Sequence, residues 1–230
     1  MNQRILPGDP PVELTLRRSS RARRFSLRVS QLDGKVTLSM PARAREAEAL
    51  AFAYGKADWV RQALLQSARP ERLAPGHVMP FEGRSLTVSV APVRSVCILG
   101  DEILVPASAA DVGVRVRAYL KLAARQRLQA ASEVYAGRLG RSFARLTLRD
   151  TRSRWGSCTA DGCLMYSWRL IMAPQDVLNY VAAHEVAHLE EMNHSEAFWT
   201  VVGRLMPDYA RHRRWLRTHG PSLHRVDFGD

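Results

Sequence analysis

Cysteine is scarce in this chain: Cys97, Cys158 and Cys163 are the only ones in 230 residues. So few, and so unevenly spaced, they exclude a disulfide framework as the source of stability. Cys158 and Cys163 flank Thr159-Ala160-Asp161-Gly162 and face each other across an expected hairpin loop. A structural zinc normally needs four ligands, so this pair alone does not make one. Long apolar runs are missing as well. With no stretch of about 18 apolar residues, no segment is a candidate for a membrane-spanning helix, and no membrane partner is expected. Met1 to Pro11 carries an arginine, prolines and an acid where a signal peptide would carry its apolar segment, which makes a cytoplasmic location the expectation. Lysine is nearly absent, with Lys35, Lys56 and Lys121 the only ones among 34 cationic side chains. No glycine-rich phosphate loop, internal repeat or low-complexity segment is recognisable.

What remains is the composition of an ordinary globular protein, 46% hydrophobic and 24% charged, long enough for one large domain or two small ones. The formal charge of +12 is carried almost entirely by arginine, concentrated around Arg17 to Arg28, Arg141 to Arg154 and Arg204 to Arg217. Such a charge can favour nucleic acid, nucleotides or anionic surfaces as partners. Arginine-rich codon usage accounts for it equally well.

The first 106 residues read as a β-rich region with one helix. Val12-Leu14-Leu16, Phe25-Leu27-Val29 and Val36-Leu38-Met40 alternate with polar residues, the pattern of half-buried antiparallel strands, and Asp33-Gly34 is placed to turn between the last two. Leu50, Ala53, Ala57, Val60 and Leu64 then recur at helical spacing, with Trp59 bordering the stripe and Pro70 as its end. A second strand group follows at Leu86 to Val90, Val96 to Leu99 and Ile103 to Val105. Residues 107–230 are mainly helical. A long scaffold helix, Val114 to Leu139, stops at Gly140, and strands are expected at Leu146 to Cys158 and at Cys163 to Ile171, both faces of the latter being covered.

Chemistry concentrates in His184-Glu185-Val186-Ala187-His188. Histidines four residues apart lie one turn apart on one helix face, close enough to share a metal ion, and the glutamate between them is placed for a general base. Val177, Val181, His184 and His188 continue one stripe, so the imidazoles face the interior. The helix starts near Ala173-Pro174-Gln175-Asp176 and runs to Glu191. His194 can reach the same ion if Met192-Asn193 reverses the chain, with Asn193 and Glu196 as cap and N3 partner of the next helix and His194 in its first turn. Three imidazoles and a water are a common catalytic zinc set.

This segment, from His184 through Leu189 with Met192-Asn193-His194-Ser195 and Phe198-Trp199, preceded by Arg154-Trp155-Gly156-Ser157-Cys158, resembles the YgjP-type predicted metal-dependent hydrolases, relatives of the SprT and WLM zinc peptidases. The resemblance implies an α+β fold with a zincin-like catalytic domain, helices packed on a small antiparallel sheet, over residues 107–230. It also implies zinc on His184, His188 and His194, with Glu185 as the catalytic acid/base. The expected reaction is peptide-bond hydrolysis by a metal-activated water. Nucleoside triphosphate pyrophosphatase activity and a nucleic-acid-associated protease remain as alternatives. Arg154 could hold an anionic substrate or stabilise an oxyanion, but packing of Trp155 against the metal helix is the favoured role for its segment. Phe198, Trp199 and Trp215 are expected in the core, and His212, His219 and His224 on the surface.

Overall fold

Apolar-polar alternation builds the first sheet. In the computed structural model, which describes residues 3–30, 34–66 and 71–229, β1 (Gln3–Leu6), β2 (Val12–Ser19), β3 (Ser26–Val29) and β4 (Val36–Pro41) form a sheet of order β1-β2-β4-β3. The outer pairs are antiparallel, but β2 and β4 run parallel, Leu14 opposite Val36 and Leu16 opposite Leu38. An antiparallel set was expected; alternation reports a half-buried strand, not its direction. Asp33 and Pro70 lie outside the described residues. Leu14, Leu16, Val36, Leu38 and Met40 point to one side and are buried with Ala49, Ala53 and Val60. Those last three come from two helices, α1 (Glu46–Tyr54) and α2 (Ala57–Gln66), where one was expected. The break falls at Gly55, whose N–H closes α1 on the carbonyl of Ala51. Trp59 is half exposed.

Packing divides the chain at Pro70, rather than near residue 106, into two compact units. The reason is visible in the second strand group. β5 (Glu71–Arg72) pairs in parallel with the last strand, β13 (Val226–Asp227). β6 (Val78–Phe81), β7 (Arg84–Ala91), β8 (Cys97–Leu99) and β9 (Glu102–Pro106) then form a sheet whose Met79, Phe81, Leu86, Val88, Ile103 and Val105 are buried in one core with the C-terminal helices. Its order is β6-β7-β9-β8, with β7 and β9 parallel and the outer pairs antiparallel. This is the topology of the first sheet again. The chain therefore contains a structural repeat that its side chains do not advertise.

The long helix α3 (Val112–Leu139) is fixed at both ends. Asp111 accepts from the N–H of Val114, and Gly140 closes the other end in the left-handed region at φ 64°, a conformation in which a side chain is strained. Its buried stripe, Val116, Leu120, Ala124 and Leu128, packs on a short 3-10 helix and on α4 (Gln175–Ala187). β10 (Arg145–Arg149), β11 (Gly156–Cys158) and β12 (Cys163–Ser167) form a small mixed sheet of order β10-β12-β11, β10 parallel and β11 antiparallel to β12, so the sheet is not wholly antiparallel as expected. Nor does β12 continue to Ile171. Trp168 to Met172 coils into the 3-10 helix, because Trp168, Leu170, Ile171 and Met172 are all buried and an extended strand would bury only alternate ones on a given face. Arg169 is the one residue of this turn that is not fully buried. It pairs with Asp150 at 2.7 Å and donates to the carbonyls of Leu223 and Val226, tying the C-terminal segment down. α5 (Glu196–Leu205) and α6 (Tyr209–His219) complete the unit. Among the described residues, no helix is long and apolar enough to cross a membrane.

Candidate metal centre

The site is assembled at the end of α4. Its inner face, Val177 and Val181, is buried, and His184 and His188 extend that face by the helical period. The carbonyl end of a helix carries partial negative charge, which suits a cation beside it. The helix stops at Ala187 with His188 as its C-cap, earlier than expected, and the chain turns over Leu189 to Glu191 with the N–H groups of Glu190 and Glu191 both reaching Ala187. From α5, Arg204 donates to both carboxylate oxygens of Glu190, at 3.0 and 3.1 Å, and braces that turn. His194 then returns toward α4. It precedes α5 instead of lying in its first turn, and the cap is Ser195, not Asn193: the Ser195 hydroxyl accepts from the Phe198 N–H, while the Asn193 carbonyl is occupied by the Ser195 N–H at 2.7 Å.

The three histidines meet. Their candidate ligand atoms all lie within 4.8 Å of one another, and the Nε2 atoms of His184 and His194 are 3.1 Å apart. No other group of three or more His, Cys, Asp or Glu side chains converges in this way among the described residues, which leaves Cys158 and Cys163 without a metal set. Phe198 holds the cluster from below, its ring centroid 4.9, 4.4 and 4.8 Å from those of His184, His188 and His194.

The donors fit a metal ion. His188 Nδ1 lies 2.9 Å from the Glu191 carbonyl, which can only accept, so Nδ1 carries the hydrogen and Nε2 keeps its lone pair. Burial, reinforced by the neighbouring imidazoles and Arg213, pushes His184 down to about 3, and burial lowers His188 too, so both are neutral and available as ligands near pH 7. Two ring nitrogens 3.1 Å apart repel if both present lone pairs, and a cation between them removes that repulsion. The spacing is close to the edge of about 3.3 Å expected for a tetrahedron with metal–nitrogen bonds of about 2.0–2.1 Å.

Glu185 lines the same cleft and is 5% exposed. Its carboxylate lies against Gly156 on β11: a Cβ there would stand 2.6 Å from both Cγ and Oε1. Burial pushes its carboxyl up to about 8, against the positive charge of Arg154. The cleft in front of these groups has a volume of about 520 Å³. Its floor is α4, one wall is Arg154 to Cys158, and the other is α6 through Arg213, Leu216 and Arg217.

His184, Glu185, His188 and His194, the four residues singled out in the sequence, all line one cleft, together with several that sequence reasoning did not single out. Phe198 is core as expected, yet its role is to seat all three imidazoles, while Trp199 and Trp215 are only partly buried. Arg213 and Arg217 were visible only as part of a basic stretch. Trp155 packs chiefly at the C-terminal segment, its ring 5.3 Å from that of His224. His219 is exposed as expected, but His212 and His224 are buried rather than on the surface. His212 is held by Asp208 at 2.9 Å.

No curated protein matches the chain significantly. Among solved structures, the crystal structure of the metallopeptidase zymogen of Pyrococcus abyssi abylysin matches with 18% identity and a TM-score of 0.37, over 40% of this chain and 93% of that one. The family model for the YgjP-like metallopeptidase domain matches residues 23–219, which is most of the chain and includes every side chain of the histidine cluster and both walls of the cleft. The chain therefore belongs to the YgjP-like metallopeptidase family and is a metal-dependent hydrolase.

Proposed function

We propose that this protein is a zinc-dependent peptidase in which His184, His188 and His194 hold one Zn2+ and Glu185 is the general acid/base. The observation that carries the reading is the convergence of three imidazoles beside a buried carboxylate at the floor of an open cleft. Three neutral imidazoles are a usual catalytic set for zinc and leave a position for water. Zinc bound there supplies a Lewis acid that brings the pKa of a coordinated water toward about 7 and polarises a carbonyl. Glu185 accepts the proton of the attacking water and returns it to the leaving amine as the C–N bond breaks. It must be ionised to do so, and both Arg154 and a cation on the histidines favour that form.

Peptide is the favoured substrate because β11 is an edge of its sheet and Gly156, Ser157 and Cys158 line the cleft, so an extended chain can pair with that edge across the site. The test is metal analysis of the purified protein followed by assay on an unfolded protein substrate. Wild type should hold one zinc per chain and cleave; Glu185→Gln should keep the zinc and lose turnover. Full activity in Glu185→Gln overturns the assignment.

A further inference from the structure

The walls of the cleft carry three arginines, Arg154 on the strand side and Arg213 and Arg217 one turn apart on α6, and among the described residues Glu185 is the only acid lining it. None of the three arginines forms an ion pair with a carboxylate among the described residues, although Arg4, Arg61, Arg72, Arg127, Arg169 and Arg204 all do. The mouth of the site therefore carries three guanidinium groups without an ion-paired carboxylate among the described residues. Nor is the wall loose. The Arg213 guanidinium sits 4.5 Å over the Trp199 ring, which stacks on Tyr209 at 5.4 Å and on His194 at 5.9 Å, so its charge is held in register with the histidine cluster. The two walls bring positive charge to the floor from both sides: Arg154 acts on Glu185, Arg213 on His184. A guanidinium with no ion-paired carboxylate at the wall of a cleft is a receptor for a planar anion, which it engages through two parallel N–H donors.

We propose that the cleft selects peptides bearing a carboxylate close to the scissile bond, with Arg217 and Arg213 binding it on α6 and Arg154 on the facing wall. The proposal rests on the peptidase reading and adds the substrate class. The carboxylate has two sources, an acidic side chain or the C-terminus of the peptide. A peptide paired along β11 presents side chains alternately to either side, so one set is directed at α6.

The experiment uses the zinc-loaded full chain and fluorogenic peptides that differ only in carrying Glu, Ala or Lys next to the cleaved bond, each with a free and an amidated C-terminus. Glu peptides should exceed Lys peptides by about tenfold or more in kcat/KM, mainly through KM, and the ratio should shrink as salt rises. Arg217→Glu should invert the preference toward Lys, and Arg217→Gln should abolish it, an ordering that no loss of stability produces. Binding of the same peptides to Glu185→Gln protein, followed by anisotropy, should give the same order without turnover. A Glu-over-Lys preference that persists after amidation assigns the acidic side chain, and cleavage equal across the Glu, Ala and Lys peptides but reduced by amidation assigns the C-terminal carboxylate. Cleavage indifferent to charge, or an Arg217→Glu protein with wild-type preference, overturns the substrate class and leaves the peptidase standing. Hydrolysis of a nucleoside triphosphate with no peptide cleaved overturns the peptidase reading, and this proposal with it.

Discussion

Gly156→Ala separates the placement of Glu185 from the holding of metal. The added Cβ would lie 2.6 Å from Glu185 Cγ and Oε1 and 2.8 Å from Cδ. Ordinary van der Waals contact begins near 3.4 Å, so the carboxylate, or the strand under it, must give way by about 0.8 Å. β11 is pinned by its pairing with β12, Gly156 opposite Tyr166, and α4 is packed in the core on its other faces, so the overlap falls mainly on the Glu185 side chain. A displacement of about 1 Å in a reacting group costs about 10²-fold in rate, and an overpacked contact of this kind costs about 1–3 kcal/mol of stability. The expected result is kcat/KM on an unfolded protein substrate reduced about 100-fold, zinc content unchanged, and a melting temperature lowered by a few degrees. Glu185→Asp in the same background withdraws the carboxylate by one methylene and should restore part of the lost stability, a coupling that a double-mutant cycle reads without reference to activity. Wild-type turnover and stability in Gly156→Ala, or loss of zinc from it, would refute the reasoning.

Zinc should stabilise the folded chain by linkage, about 2.7 kcal/mol when free zinc is 100 times its dissociation constant; a chelator should lower the melting temperature accordingly. In His194→Ala, whose replaced side chain is exposed and leaves the fold intact, chelator should make almost no difference. His224 contributes to the acid limb of stability. Burial, with Arg169 next, pushes it down to about 4 from the ordinary histidine value of 6.5, so the unfolded chain takes up a proton that the folded chain refuses as pH falls between those values. The contribution of His224 to stability should fall by up to about 3 kcal/mol across that window and be constant above it. Denaturant melts of His224→Phe from pH 7 to pH 4 should show a flatter profile than wild type, and an identical profile would remove His224 from this role.

How much of this was legible follows from how local each determinant is. Four residues decide that His184 and His188 share a face, and helix geometry holds wherever the helix packs. The return of His194 needed only a turn of about the right length. Its details failed because two candidate caps, Asn193 and Ser195, stand two residues apart, and the choice between them was made by the Phe198 N–H finding the serine hydroxyl. The coil at Trp168 to Met172 failed for a different reason: a run apolar on every side reads as a doubly covered strand, and only the core around it shows that it is a turn of 3-10 helix. Burial of His224 likewise depends on residues distant along the chain, such as Trp155, and not on local spacing.

The repeated sheet is the sharpest case of such non-local information. Strand order β1-β2-β4-β3 and strand order β6-β7-β9-β8 share their directions throughout, yet the strands of the two sheets share little beyond alternation, as in Leu14-Thr15-Leu16 and Leu86-Thr87-Val88. Alternation determines which face is buried, and pairing determines topology; the second is not written in any single strand. The arginines of the cleft belong to the same category. Within Tyr209–His219, Arg211, Arg213, Arg214 and Arg217 are equivalent as sequence, four cations on a basic amphipathic helix. Only docking of Leu216 into the core turns Arg213 and Arg217 toward the metal site, the first against Trp199. The charge that distinguishes this cleft is therefore a product of how α6 is rotated, so its effect should follow the face and not the total. Moving an arginine around α6, by Arg217→Gln combined with Thr218→Arg, keeps the net charge and should still lose the selectivity for acidic peptides.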